Sequence, residues 1–226
     1  AAGGEHGVSI SFMSEQGRFL ARLAPAVSGN VLLRRQQYRL ADQEDRCVAV
    51  ARPIVAAKIQ NCRMLLLRAA REIDRPEQSE PLQRAATRLS NNLDTLAGSA
   101  TLDSVRGCEG DAARAYFGAF NCMIRQQQET FSMSERSRRP PLDPLNALLS
   151  FLYAILTHDM ASALEEVGLD PAVGFLHTDR PGRLSLALDL MEEFRPLLAD
   201  RLALSLINLR QVRENGFSVQ PVARCL

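Results

Sequence analysis

With 226 residues, 46% of them apolar and 23% charged, the chain is long enough to bury a core, in one domain or two small ones. Aromatic residues make up 5% and tryptophan is absent, so no stacking platform for single-stranded nucleic acid is evident. The net charge of +1 conceals an uneven distribution: between Arg18 and Ser90, fourteen basic residues face seven acidic ones, which leaves the rest of the chain net negative. A basic half beside an acidic half fits a phosphate-binding surface next to a cation site, and equally the uneven charge of long solvated helices. Of the 27 cationic residues only Lys58 is a lysine. Arginine is the better bidentate phosphate ligand, although compositional bias of a genome gives the same count. The five cysteines form no CxxC pair and read as small buried hydrophobes of a reducing compartment, so a cytoplasmic location is expected. No signal peptide is recognised, the apolar run Leu148 to Leu156 is short for a bilayer span, and no membrane partner is expected.

The chain opens in strand-like alternation. Val8, Ile10 and Phe12 alternate between Gly7 and Met13, Glu15-Gln16-Gly17 turns the chain, and Arg18 to Leu23 returns as the second arm of a hairpin. Two strands are not stable alone in water, so further β-structure upstream or a covering chain is expected. Beyond Ser28-Gly29-Asn30 the pattern is helical throughout: Val31 to Leu40, then Asp42 to Ile73 with a kink or restart at Pro53. A break at Pro76 to Ser79 precedes a helix from Pro81 to Leu96, and another helix runs from Leu102 to Gln128. The polar run Ser132 to Asp143 reads as a mobile loop; Pro144 then sits in the first turn of an apolar helix, Leu145 to Val167. Asp170-Pro171 begins a short helix or turn ending near His177, Pro181-Gly182 turns, and Leu184 to Val212 is a last helix interrupted at Pro196. The expected fold class is mainly α: about six or seven helices preceded by a β-hairpin remnant of an N-terminal β-domain. Residues 1–28 form the end of that domain and 29–226 the helical body.

Candidate chemistry lies in three segments. On the helix after Leu184, Leu186, Leu190 and Phe194 share one face while Asp189 and Glu192, three apart, share another. That pair reads either as a solvated acidic face or as carboxylates relieved by a cation. His177 ends an apolar approach, Gly174-Phe175-Leu176, at a polar loop leading into the same helix. Glu109 stands among small and apolar neighbours (Ala112, Ala113, Phe117), so it needs a partner, with Arg106 and Arg114 as the nearest choices. Together these are oxygen-rich ligands with one imidazole, which suits Mg²⁺ or Mn²⁺ rather than structural zinc. A carboxylate-held divalent cation beside arginines is common equipment for phosphodiester chemistry. His158, on an apolar helix and followed by Asp159, reads as a core or boundary residue.

Three ordered motifs resemble the CRISPR-associated endonuclease/integrase of spacer acquisition, the Cas-one family. They are Arg138-Arg139-Pro140-Pro141-Leu142-Asp143-Pro144 with Leu145 to Tyr153, Gly168 to His177, and Ser185 to Pro196; Glu109-Gly110 with Ala112, Ala113 and Tyr116 resembles the family's first acidic motif. The likeness runs from about Gly7 to Val212, and its flavour is that of a subtype I-C-like branch. The resemblance implies divalent-metal ligands at Glu109, His177 and Glu192, with Asp189 as an assisting or alternative catalytic residue. It also implies a homodimer docked on a small ferredoxin-like companion protein, double-stranded or branched DNA as substrate, and an end-trimming nuclease, fused or separate. The implied reaction is attack of a 3′-hydroxyl or water on a phosphodiester, for insertion of new spacers in antiviral defence. Arg138, Arg139, Arg180 and Arg183 are candidate phosphate contacts near the site, and Arg34 to Arg88 for the longer duplex. Family members carry a whole N-terminal β-domain that mediates dimerisation and a helical tail past the position of Val212, which Phe217 to Leu226 does not resemble. The alternatives are a truncated, catalytically impaired DNA-binding scaffold and a helical interaction protein that binds no DNA.

Overall fold

Apolar periodicity and proline placement set most of the helix limits. The computed structural model describes residues 10–14, 19–23, 31–73, 76–138 and 140–217. Strands β1 (Ile10–Met13) and β2 (Phe19–Leu23) form the expected antiparallel hairpin, with Ile10 opposite Leu23 and Phe12 opposite Ala21. Between Phe12 and Met13 the register shifts, so Met13 pairs with Phe19. Ile10, Phe12, Leu20 and Leu23 are all exposed. The expected turn at 15–17 and the rest of 1–28 lie outside the described residues.

Seven α-helices follow among the described residues: α1 (Val31–Ala41), α2 (Glu44–Arg71), α3 (Pro76–Ala97), α4 (Leu102–Phe120), α5 (Pro144–Glu166), α6 (Ser185–Phe194) and α7 (Arg201–Asn208). The mainly helical class is therefore as expected, while several boundaries differ. Helix α2 runs through Pro53 as one 28-residue element. The proline removes one backbone bond, to Ala49, but it is exposed, and the buried stripe Ala51, Val55, Ile59, Cys62 and Leu66 holds the helix from the other side. Helix α3 begins at Pro76, five residues before the expected Pro81, because a first-turn proline has no N–H bond to lose. Helix α4 opens on a reciprocal capping box, Thr101 with Ser104, at 3.2 Å in each direction. It stops at Phe120 instead of Gln128. Asn121 then both donates to the Met133 carbonyl at 2.8 Å and accepts the Met133 N–H at 3.2 Å, folding the chain back.

The segment expected as a mobile loop is tied down. Arg136 Nη1 donates to Asn146 Oδ1 at 2.7 Å, and Asn146 Nδ2 donates to the Glu135 carbonyl at 2.9 Å. Helix α5 is capped by Asp143, which accepts the Asn146 N–H at 2.7 Å, and Pro144 takes the first helical position as expected. By length and composition alone α5 could cross a bilayer, but Leu145 and Leu149 are fully buried in the protein core with Leu148, Tyr153 and Leu156. Residues 170–172 form a turn rather than a helix. After α6 the chain makes a π-helical turn, Pro196–Asp200, in which the Asp200 N–H reaches the Arg195 carbonyl at 2.9 Å. Pro196 has no N–H to continue the α-ladder, and the wider turn carries the chain into α7, which ends at Asn208 rather than Val212.

One large core unites α2, α3, α4 and α5 through Ile59, Leu66, Leu82, Leu89, Phe120, Leu145 and Leu149. Tyr116 packs edge-on against Phe117 and Phe120, with ring centroids 5.1 and 5.7 Å apart. A smaller cluster, Cys47, Ala161, Leu164, Phe175, Leu186 and Ala187, sits under the loop that carries His177. The four described cysteines are free thiols. Because Phe120 is fully buried, Phe120→Ala should cost about 3–5 kcal/mol, read as a lower urea midpoint with an unchanged m-value.

Candidate active site

Helix α6 turns its acidic residues inward. Asp189 is fully buried and Glu192 is 2% exposed, so the solvated acidic face that the spacing also allowed is not formed. A buried carboxylate must be hydrogen-bonded or paired. Asp189 Oδ2 accepts the backbone N–H of Phe175 at 2.6 Å and of Leu176 at 2.9 Å, while Oδ1 accepts the His177 N–H at 2.9 Å. His177 Nδ1 lies 2.7 Å from the same Oδ1. The contact orients the imidazole through Nδ1 and leaves Nε2 on the far side of the ring. That Nε2 stands 3.9 Å from Glu192 Oε1.

The loop can wrap so closely around Asp189 because residue 174 is glycine. A Cβ there would lie 2.7 Å from Ser185 Cβ and 2.9 Å from the His177 carbonyl. Helix α1 clamps the same loop: Gln37 Nε2 donates to the carbonyls of Asp170 and Val173 at 2.8 and 2.9 Å, and its Oε1 accepts the Asp170 N–H at 2.9 Å. From α4, Arg106 donates to the Leu176 carbonyl at 2.9 Å.

Glu109, on α4, completes the centre through a residue that the sequence reading did not place there. Its partner is Lys58 of α2, not Arg106 or Arg114; Arg114 pairs with Asp111 instead. The same ammonium lies 2.5 Å from Glu192 Oε2, so Lys58 bridges Glu109 and Glu192. The lysine is buried, its side chain 8% exposed, beside Glu192 at 3% and the more open Glu109 at 27%. Arg195, one turn beyond Glu192, reaches Glu192 Oε1 at 2.7 Å. Burial pushes the Glu192 carboxyl up, but Arg195 and Lys58 override it and hold its pKa at about 2. Burial opposes the charged Lys58 as well, and Glu192 and Glu109 reverse it, raising the lysine above its ordinary value. The one available signal for Lys58 was its being the only lysine, in the buried stripe of α2 at helical spacing from Val55 and Cys62.

Arg138, Arg180 and Arg183 are on the surface or partly so, and among the described residues their guanidinium groups make no hydrogen bond or ion pair. Arg139 lies outside the described residues. Several arginines of the basic stretch are committed elsewhere: Arg68 to Glu72, Arg84 to Glu80, and Arg88 to Asp111 at 2.6 Å. His158 is half-buried on α5 and takes no part in the centre.

Behind Arg195 lies a second buried group. Asp200, on the π-helical turn, accepts the hydroxyls of Tyr116 at 2.8 Å and Tyr153 at 2.6 Å. The Tyr153 ring is flanked by the guanidinium groups of Arg195 at 4.9 Å and Arg136 at 5.2 Å. Burial raises the Asp200 carboxyl to about 6 despite the pull of the two hydroxyls and the arginines.

Whether the centre fits a divalent ion can be tested on its donors. Lys58 links Glu109 to Glu192, and His177 Nε2 faces Glu192 at 3.9 Å, with the imidazole oriented through its other nitrogen by a buried carboxylate, the arrangement that metal-bound histidines adopt. Among the described residues, however, no three acidic, histidine or cysteine side chains close around one point. The ammonium of Lys58 stands between the two glutamates instead. The donor chemistry fits a hard cation, with Lys58 holding the shared position.

Fold and site thus define a helical protein in which buried carboxylates of one helix meet a half-buried histidine and a buried lysine. The family model of CRISPR associated protein Cas1 matches residues 2–226. A CRISPR-associated endonuclease Cas1 of Moorella thermoacetica is 50% identical over 212 residues, 94% of this chain and 62% of that protein. A solved CAS1 protein from Thermotoga maritima superposes with a TM-score of 0.80 at 26% identity, over 97% of this chain and 66% of that one. A chain of a Cas6-RT-Cas1–Cas2 complex gives a TM-score of 0.77 at 30% identity, over 93% of this chain and 22% of that one. The chain belongs to the Cas1 family, and it spans about 62% of the length of the curated relatives it matches.

Asp200 makes stability depend on pH with a definite sign. Its folded pKa, about 6, exceeds the unfolded carboxylate value, so its contribution is fully present below about pH 4 and is lost as pH rises through 6. Between pH 4.5 and 7.5 the wild type should lose on the order of 2 kcal/mol relative to Asp200→Asn, measured by urea unfolding of both proteins at each pH.

Proposed function

We propose that this chain is the catalytic body of a metal-dependent DNA endonuclease/integrase that inserts new spacers into CRISPR arrays. The observation that carries the reading is that a Cas1 family fold joins Glu109 to Glu192 through Lys58 and sets the Asp189-oriented His177 3.9 Å from Glu192. Glu109, His177 and Glu192 would hold Mg²⁺ or Mn²⁺, which when bound polarises the phosphoryl oxygen and lowers the pKa of the attacking hydroxyl or water.

The chain's own residues supply orientation and charge. Asp189 holds the loop through three backbone N–H groups and orients the His177 ring through Nδ1. Arg195 neutralises Glu192 from the side away from Lys58. Arg138, Arg180 and Arg183, unpaired among the described residues, are available to phosphates of the bound DNA, together with Arg139. In the joining direction a DNA 3′-hydroxyl oxygen bonds to phosphorus while the bond to the target strand's 3′-oxygen breaks, and the proton passes through solvent to the leaving oxygen. In the reverse direction the same exchange resolves branched DNA, and with water as nucleophile it is hydrolysis.

A subtype I-C-like branch, a homodimer, a small ferredoxin-like companion, an end-trimming nuclease and a cytoplasmic setting belong to the same proposal. The family likeness to a chain solved in a Cas6-RT-Cas1–Cas2 complex supports the companion protein.

Incubated with branched DNA and Mn²⁺, the full chain should nick the substrate, and Glu109→Ala or His177→Ala should reduce nicking at least 100-fold while retaining DNA binding. Equal nicking by wild type and Glu109→Ala would refute the assignment. Binding without nicking by any form would instead mark a DNA-binding scaffold.

A further inference from the structure

Resting on the proposed metal site, we propose that Lys58 is a built-in cation that competes with the divalent ion for Glu109 and Glu192 and sets its affinity. Three observations lead there. The ammonium contacts one oxygen of each glutamate, and these two residues are among the three proposed ligands. It is buried, so these charges are poorly screened by solvent and the competition is strong. The two glutamate charges are also already matched by two cations, Lys58 and Arg195, while Asp189 is hydrogen-bonded separately by backbone N–H groups and His177.

Adding a doubly charged ion without moving Lys58 would leave a large uncompensated positive charge in a buried space, which is costly. Ion and ammonium therefore exclude one another from the shared carboxylate oxygens. The lysine stem is rooted in the stripe of Val55, Ile59 and Cys62, on a helix held firmly in the core, so the side chain withdraws by rotating about its own bonds. The open side of the centre lies at Glu109 and His177, whose side chains are 27% and 22% exposed, and an incoming ion reaches the carboxylates from there. An Arg195 that stays on Glu192 keeps that carboxylate in place during the exchange.

The test is Mn²⁺ binding by the full chain, followed as the loss of the free-ion electron paramagnetic resonance signal. Lys58→Met should bind Mn²⁺ at least about tenfold more tightly than wild type, and Lys58→Arg, which keeps the charge, should stay within about threefold. Lys58→Met binding equally or more weakly overturns the proposal, provided that wild type binds Mn²⁺ and Glu109→Gln does not, an outcome that leaves the metal site intact. If neither wild type nor Lys58→Met binds Mn²⁺, the metal site itself fails and the role of Lys58 falls with it. Should Lys58→Met not fold in chelator, Lys58→Gln takes its place, read by thermal unfolding. Its Mn²⁺-dependent rise in Tm should exceed that of wild type, and equal rises refute the competition.

Discussion

The arrangement of this protein follows from the burial of two carboxylates on one helix. Asp189 and Glu192 point from α6 into the interior, where an unpaired charge would cost several kcal/mol. Each is satisfied in a different way. Asp189 draws in three consecutive backbone N–H groups and an imidazole, which forces residues 175–177 to curl around it. Glu192 takes two side-chain cations, from α2 and from the turn after α6, which ties the helix to the core and to the π-helical turn. Neither carboxylate could be satisfied by residues of α6 alone.

The surrounding elements make that arrangement rigid. Gln37 fixes the loop from above through both ends of its amide, and Gly174 permits its close approach to Ser185. Pro196 ends the α-ladder of α6, and the wider turn that follows puts Asp200 under Tyr116 and Tyr153. Tyr153 in turn supports the Arg195 guanidinium that contacts Glu192. A continuous chain of contacts thus runs from Tyr116 in the aromatic core to Glu192.

In chemical terms the centre is a set of anions held at short range by internal cations. Such an arrangement satisfies its buried charges internally. The cation shared by the two glutamates comes from α2, away from the two helices and the loop that carry the acidic and histidine residues. The exposed arginines near the loop are a separate layer: they have no internal partners among the described residues, and their charge is available to a polyanion.

The sequence by itself determined the helical class, the order of the helices, the first-turn position of Pro144, and the three segments bearing Glu109, His177 and the Asp189/Glu192 pair. Local periodicity and turn chemistry carry that information, and the motif resemblance covered the same segments. Helix limits at Phe120 and Asn208 were decided elsewhere, by side chains such as Asn121 and Asn208 that bond to other segments. The face that α6 buries was also left open, because three-residue spacing describes a solvated acidic stripe as well as a buried pair. Only the tertiary structure settled that choice, and only it brought Lys58 to Glu109 and Glu192 across 51 positions of chain from the first of them. A charge on one helix can neutralise a charge on another only where packing brings them together, and no local pattern in either helix records that distance.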